Sequence, residues 1–213
     1  MIDYVLEKIQ RIPSLRRTFV VCNDKFHDAF LAWAGRHPGV VIVNDATTQN
    51  DERLGAIGDI DLVMRLQQVE DDFLVVAGDN LFDEELAVVV SEAAAQRPLV
   101  TIGVVNLQDR ALIRKRYGVV QLDAAGRVTA FDEKPEEPAT TLVSTGIYYF
   151  PAASLGTIRA YMASGASRDN SGHLIQFMVS SPGVHGALLE GRWYDIGDLD
   201  SYQLADRTFR QAQ

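Results

Sequence analysis

Apolar positions along the chain switch repeatedly between two periods. Residues 2–12 carry them at helical spacing, residues 18–22 form a short unbroken apolar run of strand length, residues 25–35 return to the helical period, and residues 40–43 are strand-like again. The alternation continues, with predicted helices over 51–69 and 83–96 and apolar strands over 73–77 and 99–105. Pro98 stands just ahead of the last of these strands and suits the break before it. Continuous apolar strands between helices predict a mainly parallel sheet covered on both faces. The texture then changes. Two short runs on either side of Asp123-Ala124-Ala125-Gly126 read as a hairpin, and 140–150 as a β-rich strand. Helices over 152–162, 173–179 and 201–211 follow. The pattern predicts one α/β domain over residues 1–213, a Rossmann-like three-layer fold with a β-rich insertion closing over one end of the sheet.

Composition narrows the function classes. A formal net charge of −9 and a pI near 4.9, with no basic block, argue against nucleic-acid or anionic-membrane binding, so any phosphate must be bound locally. The lone Cys22 sits in an apolar run, which excludes a disulfide within the chain and reads as core in a reducing compartment. The opening MIDYVLEKIQR resembles neither a signal peptide nor a membrane span, and a cytoplasmic location is expected.

Two carboxylates stand out. Asp79 follows a predicted buried strand in FLVVAGDNLFDEEL, and in open parallel sheets the ligand crevice lies beyond the strand carboxyl ends. An Asx turn at Asp79 or Asn80 fits the same residues. Asp195, in RWYDIGDLDSY, follows two aromatics and precedes Gly197; a helix-approach turn with Asp198 as N-cap fits there too. Two acids remote in sequence, each with a glycine near it, suit a hard cation such as Mg²⁺ held between protein and substrate phosphates.

The ordered set TTQNDERLGAIGDI, VVAGDN, YGVV, DEKP, STGIYYF and WYDIGD resembles the sugar-phosphate nucleotidyltransferases of the glucose-1-phosphate thymidylyltransferase type, over nearly the whole chain. The resemblance implies a nucleotide-diphospho-sugar transferase-like fold. It also implies that Asp79 and Asp195 hold Mg²⁺ against the phosphates of a nucleoside triphosphate, with Asn80 among the substrate-binding residues. Leu54-Gly55 resembles the segment lying against the nucleobase, although helix N-terminal packing fits it as well. Tyr117-Gly118, Glu133-Lys134 and Thr145-Gly146 resemble the sugar-phosphate pocket, where Glu133 accepts from sugar hydroxyls and Lys134 meets the phosphate. That division suits a carboxylate that takes paired donors and an ammonium that acts as a point charge. Alone, Glu133-Lys134 also reads as a solvated hairpin end.

The implied reaction is attack by a sugar 1-phosphate oxygen on the nucleotide α-phosphorus, expelling pyrophosphate. It calls for positioning and charge neutralisation rather than a side-chain nucleophile, with Asp79, Asp195 and Lys134 as the catalytic set. His27, His37, His173 and His185 lack metal spacing, and His173 falls near the family's sugar loop.

One departure bears on activity. The family begins with a strand and a G-x-G-T-R loop that cradles the triphosphate, and these 213 residues contain none. The first strand of the sheet is thus expected to be missing, which matches a start site placed too far downstream, a non-catalytic relative that binds sugar nucleotides or regulates, or a partner chain filling the gap. A missing strand would also leave edges that favour homo-oligomers. A nucleotide-cofactor dehydrogenase is disfavoured, because no G-x-G-x-x-G follows a predicted strand. Neither base nor acceptor is fixed by these residues; mannose 1-phosphate and choline phosphate serve related enzymes.

Overall fold

The computed structural model describes residues 1–210, so the expected helix end at Gln211 lies outside the described residues. The helices are α1 (Ile2–Gln10), α2 (His27–Ala34), α3 (Ala56–Leu66), α4 (Leu86–Ala95), α5 (Arg110–Ile113), α6 (Leu155–Ala163), α7 (Ser171–Met178) and α8 (Leu199–Arg210). The strands are β1 (Thr18–Cys22), β2 (Val40–Asn44), β3 (Phe73–Val76), β4 (Asn80–Phe82), β5 (Val100–Asn106), β6 (Gly118–Leu122), β7 (Val128–Glu133), β8 (Leu142–Phe150), β9 (Val184–Leu188) and β10 (Trp193–Asp195).

A six-stranded sheet runs β7-β6-β8-β5-β9, with β3 also on β8. Strand alternation feeds two cores. Phe73 and Val75 of β3 join Tyr148, Phe150, Ile102 and Val104 against α3, α6 and α7 on one face. Leu74 and Val76 join Val143, Ile147 and Val105 against α4 and Ile113 on the other. The three-layer α/β stack therefore stands, but its sheet is mixed rather than mainly parallel. β5 pairs parallel with β9, whereas β8 runs antiparallel to β3, β5 and β6. The apolar runs report burial on both faces, which a central antiparallel strand in a covered sheet experiences equally.

β1 and β2 form a separate parallel pair. No strand among the described residues pairs with the second edge of β1 or of β3. Arg16 Nη1 lies 3.4 Å from Asp71 Oδ2, so the two strand starts are within side-chain reach. Cys22 is core, and burial pushes its thiol pKa up.

Asp59, in the first turn of α3, has a buried Oδ1 with no hydrogen-bond partner among the described residues. Burial first, then the charge of Asp45, push its pKa from 3.8 to about 6. A raised folded-state carboxyl stabilises the fold fully below its unfolded value, and that contribution is lost as pH rises through about 6. The bound is about 3 kcal/mol, cut to about 1–2 kcal/mol because the group keeps solvent contact. Asp59→Asn is accordingly expected to melt at the wild-type temperature at pH 4 and above it at pH 8. Thermal unfolding across that range checks this, and an equal gap at both pH values would contradict it.

Candidate active site

Asp79 and Asp195 meet through the short antiparallel ladder of β4 and β10. Asn80 stands opposite Asp195 in its register, and the Ile196 amide donates to the Asp79 carbonyl at 2.9 Å. Charged groups fix the far end of this ladder. Arg192 Nε and Nη2 donate to the two oxygens of Asp83 at 2.8 and 3.0 Å, and its Nη1 reaches the Thr208 carbonyl of α8. That guanidinium holds the Asp83 carboxyl below the usual range. From α1, Lys8 Nζ donates to the Asp83 carbonyl at 2.6 Å and pairs with Glu85 at 2.9 Å.

Asp195 is half-buried, and its carboxylate has no hydrogen-bond partner among the described residues. Burial first, then the negative charge of Asp79, push its pKa up, while Arg116 and Lys134 oppose the rise. Asn80 Nδ2 donates to Asp79 Oδ1 at 2.8 Å, leaving the buried Asn80 Oδ1 unpartnered. Asp198 is the N-cap of α8, accepting the Ser201 amide at 2.7 Å; the turn-and-cap reading therefore belongs to Asp198 and leaves Asp195 free.

Glu133 ends β7 with its carboxylate between two glycines. A Cβ on Gly118 would lie 3.2 Å from Glu133 Oε2, and one on Gly172 would lie 1.8 Å from it. Burial raises the Glu133 pKa, opposed by Lys134 and His173. Lys134 is exposed, and its charge is felt at both Glu133 and Asp195. Tyr117 packs edge-on against Trp193, with ring centroids 5.3 Å apart, and its hydroxyl feels Asp195. Thr145 and Gly146 are tied into the sheet. The Thr145 hydroxyl donates to the Gly103 carbonyl at 3.0 Å, and Gly146, at φ +73°, accepts from the Ala77 amide at 3.0 Å just ahead of Asp79.

Sequence reasoning passed over Arg116 and Gly172. Arg116 stacks its guanidinium over Tyr117 at 5.5 Å and is felt at Asp195; its signal was its place directly before YGVV. Gly172 lies in NSGH, where nothing local shows that a carboxylate 39 residues upstream presses on it.

Leu54 and Gly55 precede α3 on another side of the site. Gly55 has φ +77°, and a Cβ there would lie 2.4 Å from the Arg168 carbonyl oxygen. A cleft of about 880 Å³, lined by Asp51 to Gly55 except Glu52 and by Gly165 to Asp169, borders this segment and does not include the acid pair. Among the described residues, no group of three or more His, Cys, Asp or Glu side chains is arranged to hold a metal, and no helix is long and apolar enough to cross a membrane.

Residues 1–211 match the family described as nucleotidyl transferase. The chain belongs to that family. Relatives of this chain include the glucose-1-phosphate thymidylyltransferase of Streptomyces antibioticus, 28% identical over 65% of this chain and 38% of the relative. The UTP–glucose-1-phosphate uridylyltransferase of Synechocystis sp. is 31% identical over 72% of this chain and 39% of the relative. The matched stretches thus span under two fifths of those proteins. A crystal structure assigned as a glucose-1-phosphate thymidylyltransferase from Bacillus anthracis superposes with a TM-score of 0.80 at 19% identity, covering 98% of this nucleotidyl transferase and 82% of that chain. At that identity the likeness establishes the shared fold.

Proposed function

We propose that this nucleotidyl transferase joins a nucleoside triphosphate to a sugar 1-phosphate, giving a nucleotide-sugar and pyrophosphate. The observation that carries the reading is the β4–β10 ladder, which brings Asp79 and Asp195 together at one end of the sheet. Two carboxylates with no cationic side chain hydrogen-bonded to either are too few for an all-protein cage. They suit Mg²⁺, which keeps waters and substrate phosphate oxygens in its shell. When bound, Mg²⁺ neutralises phosphate charge and orients the reacting groups.

The chain's own residues supply the rest. Glu133, seated between Gly118 and Gly172, accepts from acceptor hydroxyls when ionised, so acceptor affinity falls as pH drops through its raised pKa. Lys134 and Arg116 offset the negative charge of two phosphorylated substrates beside Asp195. A phosphate oxygen of the acceptor forms the new bond to the α-phosphorus as the bond to the β-phosphate oxygen breaks. That oxygen is already anionic near neutral pH, so no general base is required.

A second reading is a relative that binds nucleotide-sugars without turnover. It is favoured by the second edges of β1 and β3, with which no strand among the described residues pairs. Pyrophosphate release from a nucleoside triphosphate panel with glucose 1-phosphate, measured with and without a glycine-rich strand-loop segment placed ahead of Ile2, separates the two. The enzyme reading expects little release from the 213-residue chain and a large gain with the extension. Calorimetric binding of nucleotide-sugar without release in either form would support the binding module instead.

A further inference from the structure

Five successive residues, running from the α6–α7 connection into the first turn of α7, touch both halves of the site. The α3 amides of Ala56 and Ile57 donate to the carbonyls of Asp169 and Arg168 at 3.1 and 3.0 Å. Helix N-termini leave such amides without intrahelical partners, and here Gly55, the N-cap, has no side chain to satisfy them. The Asp169 carboxylate also pairs with Arg53 at 2.8 Å. One residue on, Asn170 Oδ1 accepts from Lys134 Nζ at 3.5 Å. Ser171 Oγ donates to the Tyr148 hydroxyl at 3.2 Å, in the buried layer beneath the pocket. Gly172 then packs directly on the Glu133 carboxylate, where even a methyl group has no room. The segment is thus held at its start by main-chain hydrogen bonds from α3 and at its end by the side chains of Lys134, Tyr148 and Glu133.

We infer that Arg168–Gly172 is a positioning segment that couples the acceptor pocket at Glu133-Lys134 to the Leu54-Gly55 side, so that an acceptor seated on Glu133 tightens the backbone at the start of α3. The inference rests on the reading of Glu133-Lys134 as an acceptor pocket. Arg53 and Asp169 act through the segment rather than on substrate, which makes them positioning residues. The coupling is reciprocal: whatever orders the start of α3 also favours acceptor binding.

Hydrogen exchange at the Ala56 and Ile57 amides, followed by NMR with and without saturating glucose 1-phosphate, mannose 1-phosphate or choline phosphate, tests it on the unmodified chain. The expected result is that whichever acceptor binds slows exchange at both amides about fivefold or more. Asp169→Ala and Arg53→Ala are each expected to weaken acceptor affinity about two- to fivefold, the range of an exposed ion pair. The double variant should lose no more than either single one, because both remove the same contact. Acceptor binding with unchanged exchange at Ala56 and Ile57 overturns the coupling and leaves the acceptor pocket standing. Failure of all three acceptors to bind overturns the pocket and the coupling together. The exchange measurement needs no substitution, so misfolding of a variant cannot obscure it.

Discussion

Asp195→Asn is expected to lower Mg²⁺-dependent pyrophosphate release by about 100-fold or more, the loss typical when a preorganised charge at a reacting centre is removed. Asp79→Asn is expected to do the same, and the double variant little worse, because the two acids act as a unit. The assay belongs in the chain carrying the glycine-rich extension, where turnover is large enough to measure. The fold should survive, since the Asp195 carboxylate has no hydrogen-bond partner among the described residues to lose, its main chain keeps its place opposite Asn80, and Arg192 and Asp83 brace the far end of the ladder. An independent sign comes from titration. The charge of Asp79 helps to raise the Asp195 pKa, so in Asp79→Asn the Asp195 carboxyl should titrate lower, as followed by carboxyl NMR. An unmoved Asp195 titration would mean that the two charges are not neighbours.

Gly55→Ala carries the second large effect, on stability. At φ +77° and ψ 162°, a region essentially reserved for glycine, an L-residue is strained by about 1–3 kcal/mol. The added Cβ would also lie 2.4 Å from a main-chain carbonyl and 2.7 Å from the Asp169 Cα, neither of which is the tip of a flexible side chain. Together these predict a loss of about 2–4 kcal/mol, with the α6–α7 connection pushed off the start of α3. Denaturant unfolding measures this. Gly39→Ala is the control, because it too has a positive φ, +91°, while nothing lies within 4 Å of its added Cβ. Equal losses at both positions would show that strain alone, without the contact on Arg168, sets the cost.

The long elements were legible in the sequence because period and burial are local. The apolar run at residues 18–22 is β1 to the residue, and the hairpin around Asp123–Gly126 joins β6 to β7. What escaped were the strands β4, β9 and β10 and the one-turn helix α5. β4 and β10 are three residues each, too short to show a period, and they exist as strands only because Asn80–Phe82 and Trp193–Asp195 pair with one another. That ladder is also what joins the two acids, so their convergence could be suspected from residue type but not located. Strand direction escaped for a similar reason: β8 is as apolar as its neighbours, and its antiparallel course depends on long-range pairing with β3 and β5. Thr145 carries the same lesson at one side chain. The resemblance places Thr145 in the sugar-phosphate pocket, and the sequence gives no sign that its hydroxyl donates to the Gly103 carbonyl beside a shift in the β5–β8 register.

The claim beneath all of this is that Asp79 and Asp195 grip one divalent ion together with triphosphate oxygens. A crystal of the extended chain soaked with Mn²⁺ and a nucleoside triphosphate, with the ion located by its anomalous signal, puts that claim to the test. The account predicts one ion within about 2.3 Å of an oxygen from each aspartate and of a phosphate oxygen, since hard cations bind carboxylates near that distance. An ion held by the phosphates alone, with either aspartate turned away from it, would contradict it.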